Sequence, residues 1–456
     1  MVLCTRHVEC REAPHEDPGI RSGDMISLQK NSMRISTAAQ IVADRFRSGG
    51  IRQHYWSLNG ARVRYSRLLG AGKQAFARHA WKDLSLFLSG SVQPIKGQTE
   101  ERAKLAVDWI CRAQDVNGDG GVAHGYFPCE AEIGWNRSYP ETTGYIITSL
   151  LDFARRYSAP SIQERALQMA RWEISIQMRN GAVQGGMVCA PEQQSPCAFN
   201  TGMVLDGWCS AYRASQDPAF LRAAVNAGTW LVNDLAQDGF FRTNGRFVTN
   251  TGVKVYNVLC AWALFRLGEH ARDEKFKQAA ILATEAAIRQ QQPNGWFANN
   301  CLTRPQAPLL HTIGYAMQGI FEVGRLSGRE DFIAAAKRSA EALLPRINPT
   351  GFIHGRFYPD WEPATFSSCL TGSAQLAVVL YGLSEVCDSP QYAEAADTLM
   401  NYLKALQACQ SEDPSIVGAL AGSFPIFGEY MIGGYPNWAT KYLLDGLLLQ
   451  DQRGSS

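Results

Sequence analysis

The sequence lacks the cysteine pairs, long apolar runs and leader pattern that mark several large classes of protein. Its twelve cysteines are scattered and form no Cys-x-x-Cys pair, so the sequence predicts neither a zinc site nor a disulfide framework. No apolar stretch approaches the roughly 20 residues that span a bilayer. Residues 1–23 are polar with acids among them, unlike a secretory signal peptide. We therefore expect a cytoplasmic protein with free thiols, no metal and no cofactor.

Charge of either sign is also sparse, and it is unevenly distributed. Charged residues make up 19% of the 456 residues, with a formal net charge of +2. Residues 34–82 contain ten Lys and Arg against one acid, whereas residues 83–456 contain 30 basic and 36 acidic residues. The sequence thus predicts a basic arm on an acidic body. The arm could contact a membrane-associated polysaccharide synthesis machinery or fold back onto the body. No recognised module accompanies it that would indicate nucleic acid.

Strand-like alternation is missing as well, and helical periodicity replaces it. Hydrophobic residues make up 46% of the chain, enough for one large all-α domain. Six times a group of small residues opens an apolar helix, at intervals of roughly 50 to 70 residues. The openings lie at residues 141–145, 200–203, 250–253, 311–315, 370–373 and 437–440.

An amphipathic helix accompanies each apolar one. These helices are predicted at residues 100–114, 161–177, 218–235, 273–291, 329–344 and 390–406. Five of the six end at a turn in which glycine can take the left-handed conformation that stops a helix. Those glycines are Gly118, Gly181, Gly239, Gly295 and Gly351.

The two helix types predict a ring. A helix that is apolar all round is buried on every side, whereas an amphipathic helix faces solvent on one side. The first strong helix is of the outer type and the last is of the inner type, so the two can pair and close the circle. We therefore predict an (α/α)6 toroid of six helical hairpins over residues 97–450, a basic helical arm over 34–96, and a disordered segment over 1–33. Met25 and Met33 are alternative natural starts.

The apolar helices should present their N-terminal ends at one mouth, where free amide groups and positive dipole ends suit negative charge. At the first opening, Glu141 is the predicted catalytic carboxylate, with Tyr139 beside it, because Pro140 fixes the approach and aromatic residues flank the acid. An acid favoured by the helix dipole alone is the alternative interpretation. The neighbouring residues predicted to bind substrate are Trp135, Arg137 and Tyr145.

Two later segments add further candidates. His311 opens the fourth apolar helix and is a predicted catalytic residue, although a cap or core histidine fits the same position. The loop at residues 351–362 combines acids, an Arg and aromatics, which favours a binding loop, and Asp360 and Glu362 are its predicted catalytic acids. Further predicted binding residues are Tyr315, His354, Arg356, Tyr358, Trp361, Glu429, Tyr430, Tyr435, Trp438 and Lys441.

These residues leave three kinds of function open. Carboxyls on either side of the mouth would serve acid/base cleavage of a glycosidic bond, and they are Glu141 with Asp360, Glu362 or Glu429. His311 and tyrosines, with an Arg to neutralise a carboxylate, would instead serve proton abstraction at C5 of a uronic acid, as a lyase or C5-epimerase requires. A non-catalytic sugar-binding or scaffold protein, docked through the basic arm, is the third kind.

Two features of the sequence resemble the α/α-toroid superfamily. They are the glutamine-to-glycine turns at residues 114–118, 177–181 and 291–295, and the segment Ser-Tyr-Pro-Glu-Thr-Thr-Gly-Tyr at 138–145. That superfamily includes six-hairpin glycosidases, uronate lyases and epimerases, and squalene-cyclase or prenyltransferase repeats. The chain looks most like bacterial toroid proteins of exopolysaccharide gene clusters. The resemblance implies an enzyme that acts on a polysaccharide or oligosaccharide in exopolysaccharide biosynthesis. A terpenoid cyclase-like enzyme is a weaker alternative, because the chain contains neither an Asp-x-Asp-Asp run nor an Asp-x-Cys pair.

Overall fold

The computed structural model describes residues 74–128, 134–246, 248 and 252–454. Within those ranges the chain is mostly helical, with thirteen α-helices. In chain order these are α1 (Gln74–Ser89), α2 (Thr99–Asp115), α3 (Pro140–Arg156), α4 (Pro160–Ile176), α5 (Ala198–Ser215), α6 (Pro218–Asp234), α7 (Leu259–Ala271), α8 (Glu274–Ile288), α9 (Leu310–Ser327), α10 (Glu330–Leu343), α11 (Leu370–Cys387), α12 (Pro390–Leu406) and α13 (Asn437–Gly454). Two antiparallel strand pairs join loops near the ring: β1 (Gly125–Tyr126) with β4 (Tyr435–Pro436), and β2 (Ser368–Cys369) with β3 (Ser423–Phe424).

The helices form six hairpins arranged in a closed ring. The inner helices are α3, α5, α7, α9, α11 and α13, and each packs against the next. The outer helices pack against them in turn, α4 on α3, α6 on α5, α8 on α7, α10 on α9 and α12 on α11. The circle closes because α13 packs against both α3 and α2, the first helix of the ring. The predicted all-α toroid of six hairpins is confirmed, including the pairing of its first and last helices.

The third inner helix begins later than the sequence pattern predicts. Lys254 has extended backbone, a 3₁₀ turn follows at Val255–Val258, and α7 starts at Leu259. The opening predicted at residues 250–253 therefore precedes the helix, and residues 249–251 lie outside the described part of the chain. The Lys254 ammonium donates to the carbonyl of Gly252 (2.6 Å) just before this 3₁₀ turn.

Glycines in the inner helices allow those helices to approach closely. A Cβ atom at Gly144 would lie 2.5 Å from Cα of Val204 on α5, and one at Gly372 would lie 2.6 Å from the backbone nitrogen of His311 on α9. Side chains at these positions would push neighbouring backbones apart, because protein interiors are close-packed. The loss of helix propensity, roughly 1 kcal/mol for each glycine, is therefore offset by closer packing of the ring.

Glycine also shapes the turns after the outer helices, and glutamine links these turns to the next hairpin. Gly181 has φ 91°, and Gln177 donates from Nε2 to the carbonyls of Gly181 (2.9 Å) and of Ala223 on α6 (3.1 Å). The sixth turn, which the sequence pattern did not identify, uses Gly418 with φ 94°. Gln407 donates to the carbonyl of that glycine (2.9 Å). The glutamine side chains thus tie each of these turns into the ring.

The inner helix α11 shows how burial accounts for an apolar sequence. It is long and apolar enough to cross a membrane by length and composition, which the sequence analysis did not expect, yet 72% of it is buried inside the protein. One such helix is weak evidence for a membrane span, because core helices of this kind pass the same test. The nine cysteines within the described ranges are free thiols.

Helix α1 lies within the predicted basic arm, of which residues 34–73 are outside the described part of the chain, as is the segment 1–33. The rings of Phe87 and Phe424 pack with their centroids 5.6 Å apart. The carboxylate of Asp83 accepts the backbone N–H of Ile426 (2.6 Å). This helix therefore packs on the loop before α13 instead of extending away from the ring.

Candidate active site

The N-terminal ends of the inner helices and the loops before them enclose a cavity of about 370 Å³, which we call the upper cavity. Its wall is largely aromatic, and one carboxylic acid and two histidines line it among the described residues. The acid and the histidines are Glu141, His124 and His311, and the aromatic residues are Tyr139, Phe199, Tyr256, Tyr315, Tyr430 and Trp438. A concave, mainly apolar space with a few polar groups is typical of a small-molecule site.

Glu141 is the second residue of α3 and is 8% exposed. Its neighbour Tyr139 donates a hydrogen bond from its hydroxyl to Oε2 of Glu141 (2.7 Å). Burial raises the pKa of Glu141 to about 7, and this bond opposes the rise. At neutral pH the side chain is therefore divided between its acid and carboxylate forms, which is the condition that general acid/base catalysis requires.

His311 stands across the ring from Glu141. It is the second residue of α9, which lies three inner helices away from α3 in a ring of six. Its Nδ1 lies 2.7 Å from Oε1 of Gln375 on α11. Because an amide oxygen accepts, Nδ1 carries the proton and Nε2 keeps its lone pair. Burial lowers the pKa of His311 to about 4, so the ring is neutral at pH 7.

His124 also lines the upper cavity, and the sequence analysis did not identify it. Its ring lies 4.8 Å from that of Trp438 and 5.1 Å from that of Tyr139. Its Nδ1 is 3.2 Å from Oδ1 of Asn136. Burial lowers the pKa of His124 to about 4, although the Asn136 contact opposes the shift. The upper cavity therefore contains two neutral histidines in addition to Glu141.

Only the tertiary structure brings His124 to the site. Gly125 pairs with Pro436 across the β1–β4 ladder, and the backbone N–H of Asn437 donates to the carbonyl of His124 (3.1 Å). These contacts join segments more than 300 residues apart in the chain. The available signal was the rarity of histidine, with eight in the chain, together with the short distance in sequence to Glu141.

Aromatic side chains form a connected wall around the cavity. Trp438 donates from Nε1 to the Tyr430 hydroxyl (2.8 Å), and the Tyr430 ring lies 5.3 Å from that of His311. The Tyr315 ring lies 4.3 Å from the same histidine. Burial raises the pKa of Tyr315 and of Tyr430 well above the usual value. Their hydroxyls therefore stay protonated and are able to donate to an oxyanion.

The loop at 351–362 does not reach this cavity. Asp360 and Glu362 are exposed, and the Glu362 backbone N–H donates to Oδ1 of Asp360 (3.1 Å). Between them Trp361 is buried, and its Nε1 donates to the carbonyl of Asn294 in the turn of a neighbouring hairpin (2.9 Å). This corrects the expectation that Asp360 or Glu362 faces Glu141 across the mouth, because the buried tryptophan holds the loop against that turn.

Glu429 is held by arginines and does not line the cavity. Its Oε2 lies 3.0 Å from Nε of Arg356 and 3.1 Å from Nη1 of Arg304. Arg356 also donates from Nη1 to the carbonyl of Ala307 (2.7 Å). Arg356, a predicted substrate-binding residue, therefore neutralises a carboxylate of the protein, and it fastens the loop before α13 to the loop before α9.

The remaining predicted binding residues lie elsewhere. His354 has Nδ1 2.8 Å from the carbonyl of Thr365, and Tyr358 is half-buried in the same loop. Trp135 is half-buried, Arg137 is exposed, and Tyr435 is buried beside α1. Tyr145 and Lys441 line a second cavity of about 200 Å³, which we call the lower cavity. Arg155 on α3 and Gln452 on α13 also line it, near the C-terminal ends of those helices. The predicted residues that the structure brings together at the upper cavity are Tyr139, Glu141, His311, Tyr315, Tyr430 and Trp438.

Within the described ranges, no group of three or more His, Cys, Asp or Glu side chains is placed to hold an ion. The ionisable groups of the upper cavity are instead linked to neutral partners, Tyr139 to Glu141 and Gln375 to His311.

No protein-family model matches the chain, and no curated protein matches it in sequence. Several solved structures share its fold. The unsaturated glucuronyl hydrolase of Bacillus sp. GL1, described as responsible for the degradation of glycosaminoglycan, is 17% identical with a TM-score of 0.60, over 78% of this chain and 97% of that one. Cellobiose 2-epimerase from Bacillus thermoamylovorans is 11% identical with a TM-score of 0.61, over 76% and 98%.

A third solved structure, a novel α-amylase from Clostridium perfringens, is 9% identical with a TM-score of 0.55, over 77% of this chain and 98% of that one. At such identities the likeness concerns the fold, which this chain shares with carbohydrate-active toroid enzymes. The alignments cover nearly all of each of these neighbours, so the toroid accounts for the whole of the resemblance.

Proposed function

We propose that the chain is a carbohydrate-active enzyme that transfers protons to and from a sugar bound in the upper cavity, with Glu141 and His311 as the transferring groups. The observation that carries this proposal is their placement. Glu141 is the one carboxylic acid among the described residues of the cavity wall, and His311 stands opposite it on the ring. Two proton-transfer groups on opposite sides of a bound carbon suit inversion at that carbon.

The reaction that we favour is epimerisation at C2 of a reducing-end sugar. In the open-chain form, C2 lies next to the C1 carbonyl, which acidifies its C–H bond. His311 Nε2 takes the C2 proton, and the electron pair forms a C1=C2 bond while charge moves to the C1 oxygen. Tyrosine hydroxyls donate to that oxygen. Protonated Glu141 then gives a proton to the opposite face of C2, the C1 carbonyl re-forms, and solvent exchange returns both groups to their starting states.

The charge of the wall favours a neutral sugar over a uronic acid. None of the described residues that line the upper cavity is Lys or Arg, so a substrate carboxylate would have no cationic partner there, and burying an unpaired charge is costly. The uronate lyase and C5-epimerase alternatives are therefore less well supported. Aromatic rings suit the apolar faces of a neutral pyranose. The likeness to a cellobiose 2-epimerase supports this reading of the substrate.

Hydrolysis is the second candidate. A buried acid with a pKa of about 7 is suited to protonating a glycosidic oxygen or a double bond, and the likeness to unsaturated glucuronyl hydrolases favours such chemistry. The usual mechanism requires a second carboxyl group, and Asp360, Glu362 and Glu429 do not line the cavity. In a hydrolytic enzyme the base would therefore be a histidine of the upper cavity.

Further predictions concern the setting of this activity. We propose that it serves bacterial exopolysaccharide production in the cytoplasm, on an oligosaccharide precursor. Docking on a membrane-bound synthesis machinery through the basic arm stays a prediction, since residues 34–73 lie outside the described ranges. A scaffold role without catalysis and a terpenoid cyclase-like reaction are the outcomes left if no sugar is transformed.

Product analysis separates these possibilities. The purified full chain is incubated with cellobiose, lactose and other neutral reducing disaccharides, and the products are resolved by chromatography. Epimerisation yields a 2-epimer of unchanged mass, whereas hydrolysis yields monosaccharides. Glu141→Gln and His311→Gln should each slow either reaction about 10²–10⁴-fold, and Glu362→Gln, at an exposed acid, serves as the matched control. Full activity in the Glu141 variant would contradict the proposal.

A further inference from the structure

The backbone of Tyr139 is fixed at the start of α3. Its N–H donates to the carbonyl of Val122 (2.9 Å), and its own carbonyl accepts both the N–H (3.0 Å) and the hydroxyl (2.9 Å) of Thr143. Pro140, the first residue of α3, follows directly, and its ring restricts φ at the start of the helix. The Cα atom from which the Tyr139 side chain extends is therefore held from both sides.

The side chain of Tyr139 is held as well. The centroid of its ring lies 5.1 Å from that of His124 and 6.2 Å from that of Trp438. The residue is 9% exposed, and its hydroxyl donates to Oε2 of Glu141 (2.7 Å). Burial, and after it the nearby Glu141 charge, raises the pKa of the Tyr139 hydroxyl well above the usual value. The hydroxyl therefore keeps its proton and is a lasting donor to the carboxyl group.

This bond makes the two carboxyl oxygens of Glu141 unequal. Oε2 accepts from Tyr139, whereas Oε1 forms no hydrogen bond within the described ranges and is not among their fully enclosed polar atoms that lack a partner. Glu141 lines the upper cavity. Because the Tyr139 hydroxyl has a single hydrogen and gives it to Oε2, the proton of the acid form is on Oε1. Oε1 is therefore the oxygen that is left to meet a bound sugar.

We propose that Tyr139 is a positioning residue for Glu141, which holds Oε2, leaves Oε1 for the sugar and stabilises the carboxylate that remains after proton transfer. The proposal rests on the proposed function, in which Glu141 gives a proton to C2. In that step the O–H bond at Oε1 breaks, the C2–H bond forms, and the electron pair of the broken bond stays on the carboxyl group. The Tyr139 hydroxyl stabilises the negative charge that develops there. Tyr139 acts through Glu141 and needs no contact with the sugar.

Tyr139→Phe in the full chain removes this bond and keeps the ring and the backbone contacts. Without the donor the carboxylate is less stable, so the pKa of Glu141 should rise from about 7 by roughly 1–2 pH units. Turnover requires protonated Glu141, so the alkaline limb of the pH profile of kcat should move up by the same amount. At pH 6 kcat should fall about tenfold, because the carboxylate left by the transfer has lost its donor, while KM stays unchanged.

Tyr381→Phe is the matched control. The Tyr381 hydroxyl donates to Oδ1 of Asp397 (2.6 Å), and neither residue lines the upper or the lower cavity. This variant removes the same kind of bond elsewhere in the ring and should leave kcat, KM and the alkaline limb unchanged. Circular dichroism checks that both variants are folded.

Infrared spectroscopy of protein with ¹³C-labelled glutamate carboxyl groups measures the pKa of Glu141 without any substrate. The Glu141 band is the one that disappears in Glu141→Gln, and its pKa should rise in Tyr139→Phe and stay in Tyr381→Phe. An unchanged pKa and an unchanged alkaline limb in folded Tyr139→Phe would overturn the proposal and leave the proposed function standing. A raised KM with the limb in place would also overturn it, because Tyr139 would then contact the sugar directly. If the unmodified chain turns over no sugar, the proposed function fails and the role of Tyr139 in turnover fails with it, whatever the infrared measurement shows.

Discussion

The upper and lower cavities of the ring differ in whether their ionisable side chains form ion pairs. In the upper cavity, Glu141, His124 and His311 contact neutral groups, and within the described ranges none of them forms an ion pair. In the lower cavity, every carboxylate has a basic partner. Of the three groups of the upper cavity, Glu141 changes protonation state near neutral pH, because burial raises its pKa to about 7. The same helical scaffold thus has one cavity with unpaired ionisable groups and another in which the charges are paired.

The upper cavity also shows that burial outweighs the helix dipole. A carboxylate in the first turn of a helix gains typically 0.3–1 kcal/mol from the dipole, which would lower its pKa. The pKa of Glu141 instead rises from 4.5 to about 7, a preference for the neutral form of about 3 kcal/mol. Desolvation is therefore the larger effect. An acid retained only for its dipole interaction would be exposed, so this burial favours a functional reading of Glu141.

The largest effect that we expect comes from replacing the carboxylic acid of the upper cavity by an amide. Glu141→Gln keeps the size of the side chain and its place beside Tyr139 but cannot exchange a proton, so turnover should fall about 10²–10⁴-fold. Initial rates with the best substrate measure the loss. Glu362→Gln, on the exposed loop, should keep full activity, and a similar loss in both variants would show that the comparison of cavity and loop is mistaken.

Removing the partner of one charge in the lower cavity should lower the stability of the protein and leave its turnover unchanged. Arg266→Met leaves the buried Asp206 without its cationic partner, which should lower the free energy of unfolding by about 3–5 kcal/mol. Urea denaturation measures this change. The double variant with Asp206→Asn removes both charges and should recover most of the stability. A single variant as stable as the unmodified protein would mean that charge pairing is not what holds this end together.

The pH dependence of stability should distinguish the upper cavity as well. The pKa of Glu141 is higher in the folded protein, about 7, than in the unfolded chain, so the unfolded state releases its proton first and folding loses stability as pH rises from about 4.5 to 7. Glu141→Gln lacks this penalty. Its stability relative to the unmodified protein should therefore be greater at pH 8 than at pH 4 by up to about 3 kcal/mol, as denaturant titrations would show; a constant difference would contradict the shift.

A buried acid outside both cavities provides the smallest effect and a useful control. Glu173 on α4 is fully buried, and neither carboxyl oxygen has a hydrogen-bond partner within the described residues. Burial raises the pKa of Glu173 well above its usual value, so its ionisation also opposes folding at high pH. Glu173→Gln should stabilise the protein by roughly 0.5–2 kcal/mol at pH 8 and leave turnover unchanged. Lost turnover would mean that burial alone does not separate structural from catalytic acids.

The ring could be predicted from the sequence because its signals are local. Apolar and amphipathic helices alternate, and glycine marks both the close helix contacts at Gly144 and the turn at Gly181. The third opening was misplaced because a Thr-Gly pair looks the same before a helix as at its first turn. The turn at Gly418 was missed for two reasons. Val417 precedes the glycine, where the other turns have Asn, Asp or Thr, and the turn lies well beyond the end of α12.

The site could be predicted only in part, because its remaining signals are not local. Glu141 and His311 were found because each opens an inner helix, and helix openings converge. His124 was missed because the β1–β4 ladder, which places it at the cavity, joins distant parts of the chain. The loop of Asp360 and Glu362 has the composition of a binding loop, yet the burial of Trp361 turns it toward Asn294. Composition did not reveal that direction.

The most direct test of the account is the deuterium content at C2 of sugar recovered from incubation in heavy water. Proton transfer at C2 by His311 and Glu141 predicts one deuterium at C2 of the 2-epimer with the unmodified protein, about 10²–10⁴-fold slower formation of that 2-epimer with Glu141→Gln, and the unmodified rate with Glu362→Gln. A 2-epimer without deuterium in that position, or a deuterated 2-epimer formed by the Glu141 variant at the unmodified rate, would contradict the central claim that the upper cavity is a proton-transfer site built on Glu141.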